Sequence, residues 1–146
     1  MSKEKLKLSN QLCFPLYAVS RLITKTYKPY LDKLGLTYPQ YLVMLVLWEK
    51  DEVPIKHITD RLLLETNTVT PLLKRMEKQG LLQRNRSESD ERKVLIALTQ
   101  EGRDLESAAS HIPDALVKSL SHEQVELDDV MKMKGILHKW IKLLEG

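Results

Sequence analysis

The sequence predicts a mainly helical fold with one small β-hairpin, on three observations. Apolar residues recur at spacings of three and four along most of the 146 residues, which is the mark of helix faces. At one place only, that period gives way to two short runs, 81–86 and 94–98, that look like strands. Between them lies the charged stretch 87–93, a hairpin tip, and two short helical patterns joined by a polar turn stand directly before. The length fits one domain, 1–146, large enough to bury a core without cross-links.

Taken in order, Leu8, Leu12, Leu16, Val19 and Ile23 share one helix face. Ser9 is the expected N-cap and Gly35 the stop, so a first helix is expected to run to about Leu34. Pro15 falls early in it and Pro29 late, where a kink or a shifted end is expected. Thr37 and Gln40 form a capping box with Pro39 in the first turn. The body that follows, 41–48, is apolar on nearly every side, as a core helix is. Residues 55–64 read as a short helix with Ile55, Ile58, Leu62 and Leu63 inward. After the cap-rich turn 65–68, a helix from about Asn67 to Gln79 ends at Gly80 and turns Val69, Leu72, Leu73 and Met76 inward. Two short helices on a tight polar turn make a helix-turn-helix, and the hairpin directly after makes it a winged helix.

Thr99 caps a further helix to about Ser110, which Pro113 interrupts. Ser121 and Gln124 form a second capping box for a last helix, 122–145. Val125, Val130, Met133, Ile136, Trp140 and Ile141 give that helix more apolar surface than one surface helix needs. With the first helix it is the candidate interface of a homodimer. The expected division is a winged helix-turn-helix over 37–98, with dimerisation helices over 1–35 and 115–146.

Composition narrows the function. No apolar run is long enough to span a bilayer, and no apolar signal core follows the lysine-rich start, so no membrane contact and a cytoplasmic location are expected. The single cysteine, Cys13, rules out an internal disulfide. His57, His111, His122 and His138 fall into no ligand spacing, so no metal is expected. With no phosphate-binding glycine loop and no nucleophile motif, neither a cofactor nor an enzyme activity is expected. The net charge is only +3, but Lys74, Arg75, Lys78, Arg84 and Arg86 cluster against Glu77 alone, and such a cluster attracts a polyanion.

A winged helix puts its second helix into the major groove of double-stranded DNA. Asn67, Thr68 and Thr70 are short polar residues able to reach bases, with Pro71 on the same helix. Lys74, Arg75 and Lys78 suit phosphates, as does Arg86 in the hairpin. Arg92 at the wing tip suits a narrow minor groove, with Asp90 placed to hold its guanidinium. A dimer of such units reads a pseudo-palindromic operator.

With Ser9 as the N-cap, Cys13 lies close to a helix N-terminus, a position that favours the reactive thiolate form of a cysteine. Tyr17, four residues on, shares its helix face. Tyr27 lies at a similar helical angle but roughly 21 Å further along the axis, within reach only of a partner's thiol in an antiparallel dimer. Spacing alone favours Cys13 as a small buried core residue.

Three stretches tilt that balance: 10–14 (Asn-Gln-Leu-Cys-Phe), 32–41 (Asp-Lys-Leu-Gly-Leu-Thr-Tyr-Pro-Gln-Tyr) and 70–77 (Thr-Pro-Leu-Leu-Lys-Arg-Met-Glu). With the wing Asp90-Glu91-Arg92, they resemble the MarR family of bacterial regulators, and closely its organic-hydroperoxide-sensing (OhrR) branch. The resemblance runs from about Leu8 to Thr99. It implies a homodimeric repressor in which Cys13 is the peroxide-reactive residue, with Tyr17, Tyr27 and Tyr38 around it, some from the other subunit. It further implies that an organic hydroperoxide oxidises the thiol, after which a small thiol forms a mixed disulfide, as suits a single-cysteine chain. Where the family often has Gly in the recognition turn, this chain has Asn67-Thr68, which bears on its operator. The alternative within the family is release by a small phenolic or carboxylate ligand.

Overall fold

The computed structural model describes residues 2–146; Met1, the first residue of the expected dimerisation stretch, lies outside the described residues. The chain divides into two compact units, Met1–Ala109 and Ser110–Gly146.

The first unit opens with α1 (Ser2–Lys5) and a 3-10 turn, Leu8–Asn10, before the long helix α2 (Phe14–Asp32). The expected helix start at Ser9 does not form. The cause is Pro15: in a helix begun at Ser9 its ring would strike the Gln11 carbonyl, whereas a start at Phe14 leaves it in the first turn, where no N–H is needed. The chain is extended at Gln11 (ψ 130°), and the amides of Asn10 and Gln11 fold back onto the carbonyls of Glu4, Lys5 and Lys7 at 2.7–2.9 Å. Pro29 is accommodated inside α2, which continues to Asp32 before Gly35 (φ +69°) reverses the chain.

Helix α3 (Tyr38–Glu49) carries the expected capping box: Thr37 Oγ1 accepts from the Gln40 N–H (3.3 Å), and Gln40 Oε1 accepts from the Thr37 N–H (3.1 Å). Its Val43, Met44 and Leu47 are fully enclosed, so it forms the centre of the core. Next come β1 (Val53–Pro54), α4 (Ile55–Leu62), α5 (Thr66–Lys78), β2 (Leu82–Arg86), β3 (Val94–Leu98) and α6 (Gln100–Ala109). The strands form an antiparallel sheet in the order β1-β3-β2, registered from Leu82↔Leu98 to Arg86↔Val94. The strand β1 was not expected. Only its pairing with β3, Val53 opposite Ile96, makes two residues a strand. Leu63, expected inward, is 52% exposed: it ends α4 in the left-handed region (φ 56°), which turns its side chain out.

Thr99 caps α6 as expected, its Oγ1 accepting from the Gly102 N–H at 3.1 Å. The second unit holds α7 (Ile112–Leu120), with Pro113 in its first turn, and α8 (Leu127–Glu145). The expected capping box at Ser121 and Gln124 is not made. His122 and Val125 pair through two backbone hydrogen bonds (2.9 and 3.0 Å), and Ser121 Oγ donates back to the Val117 carbonyl (2.9 Å). The helix therefore starts five residues later than expected, behind a box of Glu126 and Asp129.

Candidate DNA interface and thiol site

Helices α4 and α5 meet at a tight turn after Leu63. Val69, Leu72, Leu73 and Met76 bury one stripe of α5 and fix its rotation. That rotation exposes Asn67, Pro71, Lys74 and Lys78 in one outward row, with Thr68 and Arg75 exposed beside it and Thr70 half-buried. No acidic residue stands within the first turn of α5; the acidic residue at its positive end is the exposed N-cap Glu65, which makes no side-chain cap bond. Pro71, inside α5, has no N–H to give the Asn67 carbonyl, so one i→i−4 bond is missing near the helix start.

The hairpin is tied to this helix and braced at its tip. The Arg84 N–H donates to Glu77 Oε2 on α5 (3.0 Å). Ser87 N–H donates to the Lys93 carbonyl (2.9 Å), and Arg86 Nη1 to the Glu91 carbonyl (3.0 Å). Asp90 Oδ1 accepts the Arg92 backbone N–H at 3.0 Å, while Arg92 Nε stands 3.8 Å away and the side chain is 96% exposed. Asp90 thus shapes the turn that presents Arg92 more than it restrains the guanidinium. At the wing's base Asp51 Oδ1 accepts from the Leu98 N–H (2.8 Å), and Arg103 Nη1 donates to the Leu98 carbonyl (3.0 Å). Sequence reading missed both braces, because neither residue lies in a local motif with Leu98.

Cys13 occupies the N-cap position of α2 and is exposed, which overturns the buried-core expectation from spacing. Pro15 explains it: by moving the helix start to Phe14, it leaves Cys13 at the helix mouth. Tyr17, one turn on, is exposed, with the Arg21 guanidinium 5.6 Å from its ring centre. Tyr27 and Tyr38 sit together elsewhere, ring centres 4.8 Å apart, one from late α2 and one from the start of α3. Within one chain the four sequence-predicted residues therefore form two pairs, Cys13 with Tyr17 and Tyr27 with Tyr38.

Tyr41 completes the aromatic cluster at 5.7 Å from Tyr27 and 6.3 Å from Tyr38, and is itself buried. Its position three residues after Tyr38, on the same helix face, was the signal available for it. Burial, then mutual repulsion with Tyr38 and Tyr41, pushes the Tyr27 phenol up to about 12. Burial raises Tyr38 as well, and it raises Tyr41 with a further contribution from Tyr38. All three thus remain hydrogen-bond donors at neutral pH. Below pH 10 Tyr27 contributes fully to stability. Above pH 10 the unfolded phenol ionises first, and that contribution is lost as pH rises towards 12. In urea titrations across pH 9–12, Tyr27→Phe is expected to fall less steeply than the parent; parallel curves would count against a buried phenol.

Beside this cluster is a cleft of about 230 Å³ lined by Thr24, Lys25, Lys28, Leu31, Asp32, Leu36, Thr37 and Tyr38, in which Lys28 is paired with Asp32 at 3.0 Å. Among the described residues no His, Cys, Asp or Glu group is arranged to hold a metal ion, and no helix is long and apolar enough to cross a membrane.

A helix-turn-helix with a basic outward row and a braced, arginine-tipped hairpin defines a DNA-binding transcription regulator of the winged-helix class. Known proteins agree. Residues 25–108 match the family model "Transcriptional regulator SarA/Rot". The organic hydroperoxide resistance transcriptional regulator of Bacillus subtilis (strain 168) is 49% identical over 141 residues, covering 97% of this chain and 94% of that protein. Reduced AbfR bound to DNA superposes with a TM-score of 0.79 at 37% identity, over 100% of both chains. The disulfide form of AbfR, a Staphylococcus epidermidis protein, gives 0.66 at 36% identity, over 100% of this chain and 98% of that one. A MarR-family regulator from Rhodococcus sp. RHA1 gives 0.76 at 25% identity, over 90% and 93%. This chain belongs to the MarR family of transcription regulators, in its organic-hydroperoxide-resistance branch.

Proposed function

We propose that this protein is a homodimeric repressor that leaves its operator when an organic hydroperoxide oxidises Cys13. The observation that carries the reading is the exposed thiol at the mouth of α2, in a chain whose long α2 places Tyr27 and Tyr38 out of that thiol's reach. Fourteen residues of helix separate Cys13 from Tyr27, roughly 21 Å at 1.5 Å per residue. A partner with antiparallel α2 brings its tyrosine pair to this thiol. Large apolar residues left exposed on α2 (Phe14, Leu16, Val19, Leu22) and α8 (Met133, Ile136, Ile141) support such a partner.

The chemistry is a two-electron oxidation. The thiolate sulfur attacks the distal peroxide oxygen, a sulfur–oxygen bond forms, the oxygen–oxygen bond breaks, and the alcohol leaves after taking a proton. A small cellular thiol then displaces hydroxide as water, leaving a mixed disulfide. That adduct cannot share the space of the phenols, so the interface repacks and the two recognition helices lose the separation that two half-sites roughly 34 Å apart require. A change costing about 1.4 kcal/mol of binding lowers affinity tenfold.

The test is a titration of reduced protein onto its own upstream DNA, with stoichiometric cumene hydroperoxide, with and without a small thiol, and intact masses taken. Release together with a mass gain at Cys13 supports the reading, and DNA retained by fully oxidised protein overturns it. One second reading is release by a small phenol or carboxylate, which in this cleft would meet Lys25, since Lys28 is already paired with Asp32. Salicylate-driven release without a peroxide effect would establish that instead.

On DNA, Asn67 reads bases, Lys74 and Lys78 neutralise phosphates, and Arg92 enters the adjacent minor groove. Lys74→Ala is expected to weaken specific and non-specific duplexes alike and to lower the slope of log K against log salt by about 1. Asn67→Ala is expected to cost about 1–3 kcal/mol on the operator only. Equal losses on both duplexes for Asn67→Ala would remove it from base reading.

A further inference from the structure

A chain of side-chain amides links the tyrosine cluster to the far end of the recognition helix. It starts at the Thr37 N–H, which donates to Gln40 Oε1 (3.1 Å). Gln40 Nε2 donates to Gln79 Oε1 (3.0 Å), and Gln79 Nε2 donates to the Gly35 carbonyl (3.2 Å). Both ends are backbone groups of fixed polarity in the α2–α3 corner, a donor at Thr37 and an acceptor at Gly35. Each amide therefore has one orientation that satisfies the chain, and hydrogen bonds aligned in series reinforce one another.

The positions of the two glutamines matter. Gln40 is 5% exposed and lies between Tyr38 and Tyr41 in sequence, on the first turn of the helix that both tyrosines share. Gln79 is the C-cap of α5, its own N–H held by the Arg75 carbonyl at 3.0 Å. Gly80 follows at φ +81° and fixes the end of the helix. Among the side-chain hydrogen bonds of the described residues, this chain joins the start of α3 directly to the end of α5. Because Gln40 is bonded at both ends of its amide, a shift of the α3 start strains or breaks the bond to Gln79.

We propose that Gln40 and Gln79 are positioning residues that couple the tyrosine cluster to the orientation of α5. When Tyr38 is displaced, α3 moves at its N-terminus, Gln40 moves with it, and the C-cap of the recognition helix is pulled or released. The proposal rests on the reading that the tyrosine cluster senses the thiol's state. The coupling itself can be measured without peroxide.

Gln79 is exposed, so Gln79→Met keeps the side-chain length and removes both hydrogen bonds with little risk to folding. Two measurements decide the matter on the full chain. In the first, operator affinity is compared before and after cumene hydroperoxide with a small thiol. Gln79→Met is expected to bind DNA within twofold of the parent when reduced, with a somewhat lower melting temperature because the buried Gln40 amide loses its acceptor, and to show a release ratio at least fivefold smaller. A structural role alone would lower stability in the same way and leave that ratio intact. In the second, amide exchange at Gln79 and Gly80 is followed in the parent, Tyr38→Leu, Gln79→Met and the double variant. Tyr38→Leu is expected to speed exchange there at least fivefold in the parent and to have no further effect on Gln79→Met. Additive effects in that cycle overturn the coupling. A parent that does not respond to peroxide overturns the sensing reading alone, and the exchange cycle then decides the coupling.

Discussion

Cys13→Ser is expected to bind the operator within about twofold of the reduced parent and to show no release by organic hydroperoxide, against a parent release of at least tenfold, about 1.4 kcal/mol. Serine keeps the size of the side chain, and its hydroxyl is not oxidised by a hydroperoxide. Its position makes the substitution mild: Cys13 is exposed, makes no side-chain cap bond, and stands at an N-cap, where serine is among the favoured residues. Gel shift with and without cumene hydroperoxide, with intact mass as control, checks it. Continued release of Cys13→Ser would move the sensor away from this thiol. Loss of DNA binding in the reduced variant would mean that the thiol shapes the dimer itself.

Gly102→Ala is expected to cost about 3 kcal/mol, the upper end of the range for overpacking. A methyl at this position would clash with the Leu81 backbone carbonyl and stand 3.0 Å from a Leu98 methyl. Backbone cannot swing aside as a side chain can. The same Leu81 carbonyl accepts from the Thr99 N–H at 3.1 Å, and the Gly102 carbonyl accepts from the Trp48 indole at 2.9 Å. Moving α6 away would therefore loosen the exit of the wing and its anchor on α3. The expected readout is a melting temperature roughly 6–12 °C lower, at about 2–4 °C per kcal/mol for a chain of this size.

Gly135→Ala gives the opposite sign. Nothing stands within 4 Å of a methyl there, and removing a glycine from a helix interior is worth about 0.5–1 kcal/mol. A gain at Gly135 with a loss at Gly102 confirms the packing argument. A loss at Gly135 would report a neighbour packed on the side of α8 away from Met133, Ile136 and Ile141, and an unchanged Gly102→Ala would refute the close approach of α6 to Leu81.

The legible parts of the fold are those in which bond partners lie within four residues. The Thr37–Gln40 box, the Thr99 cap and the glycine stops at Gly35 and Gly80 all formed as read, because each depends on residue type at a fixed short spacing. So did the inward stripe of α5, set by helical period alone. The outward face of Thr68, Lys74, Arg75 and Lys78 was legible for the same reason, as the complement of that stripe, while Thr70, read on the same face, is half-buried beside Val69.

Errors arose wherever two local signals competed. Ser9 offered a cap, but the Pro15 ring made a helix begun there too costly. Ser121 and Gln124 matched a box, but the His122–Val125 bridge turns the chain there, the Ser121 hydroxyl bonds back to the Val117 carbonyl, and the start of α8 falls to Glu126 and Asp129. Leu63 matched the inward period but fell one residue past the helix, where a left-handed backbone turned it outward.

Other features belong to tertiary structure alone, because their partners are distant in the chain. A two-residue strand exists only against β3, and Asp51 meets Leu98 only once the wing has folded back. Tyr27 and Tyr38 belong to different helices, and the turn at Gly35 brings their rings to 4.8 Å, with Tyr41 enclosed beside them. The amide chain from Gln40 to Gln79 depends on two helix ends meeting, and the capping box that predicted one half of Gln40's bonds was silent on the other. Residue type and spacing settle bonds within a helical turn; which distant groups meet is settled by the packing of the apolar stripes, and the contacts that hold the wing and gather the tyrosines are of that second kind.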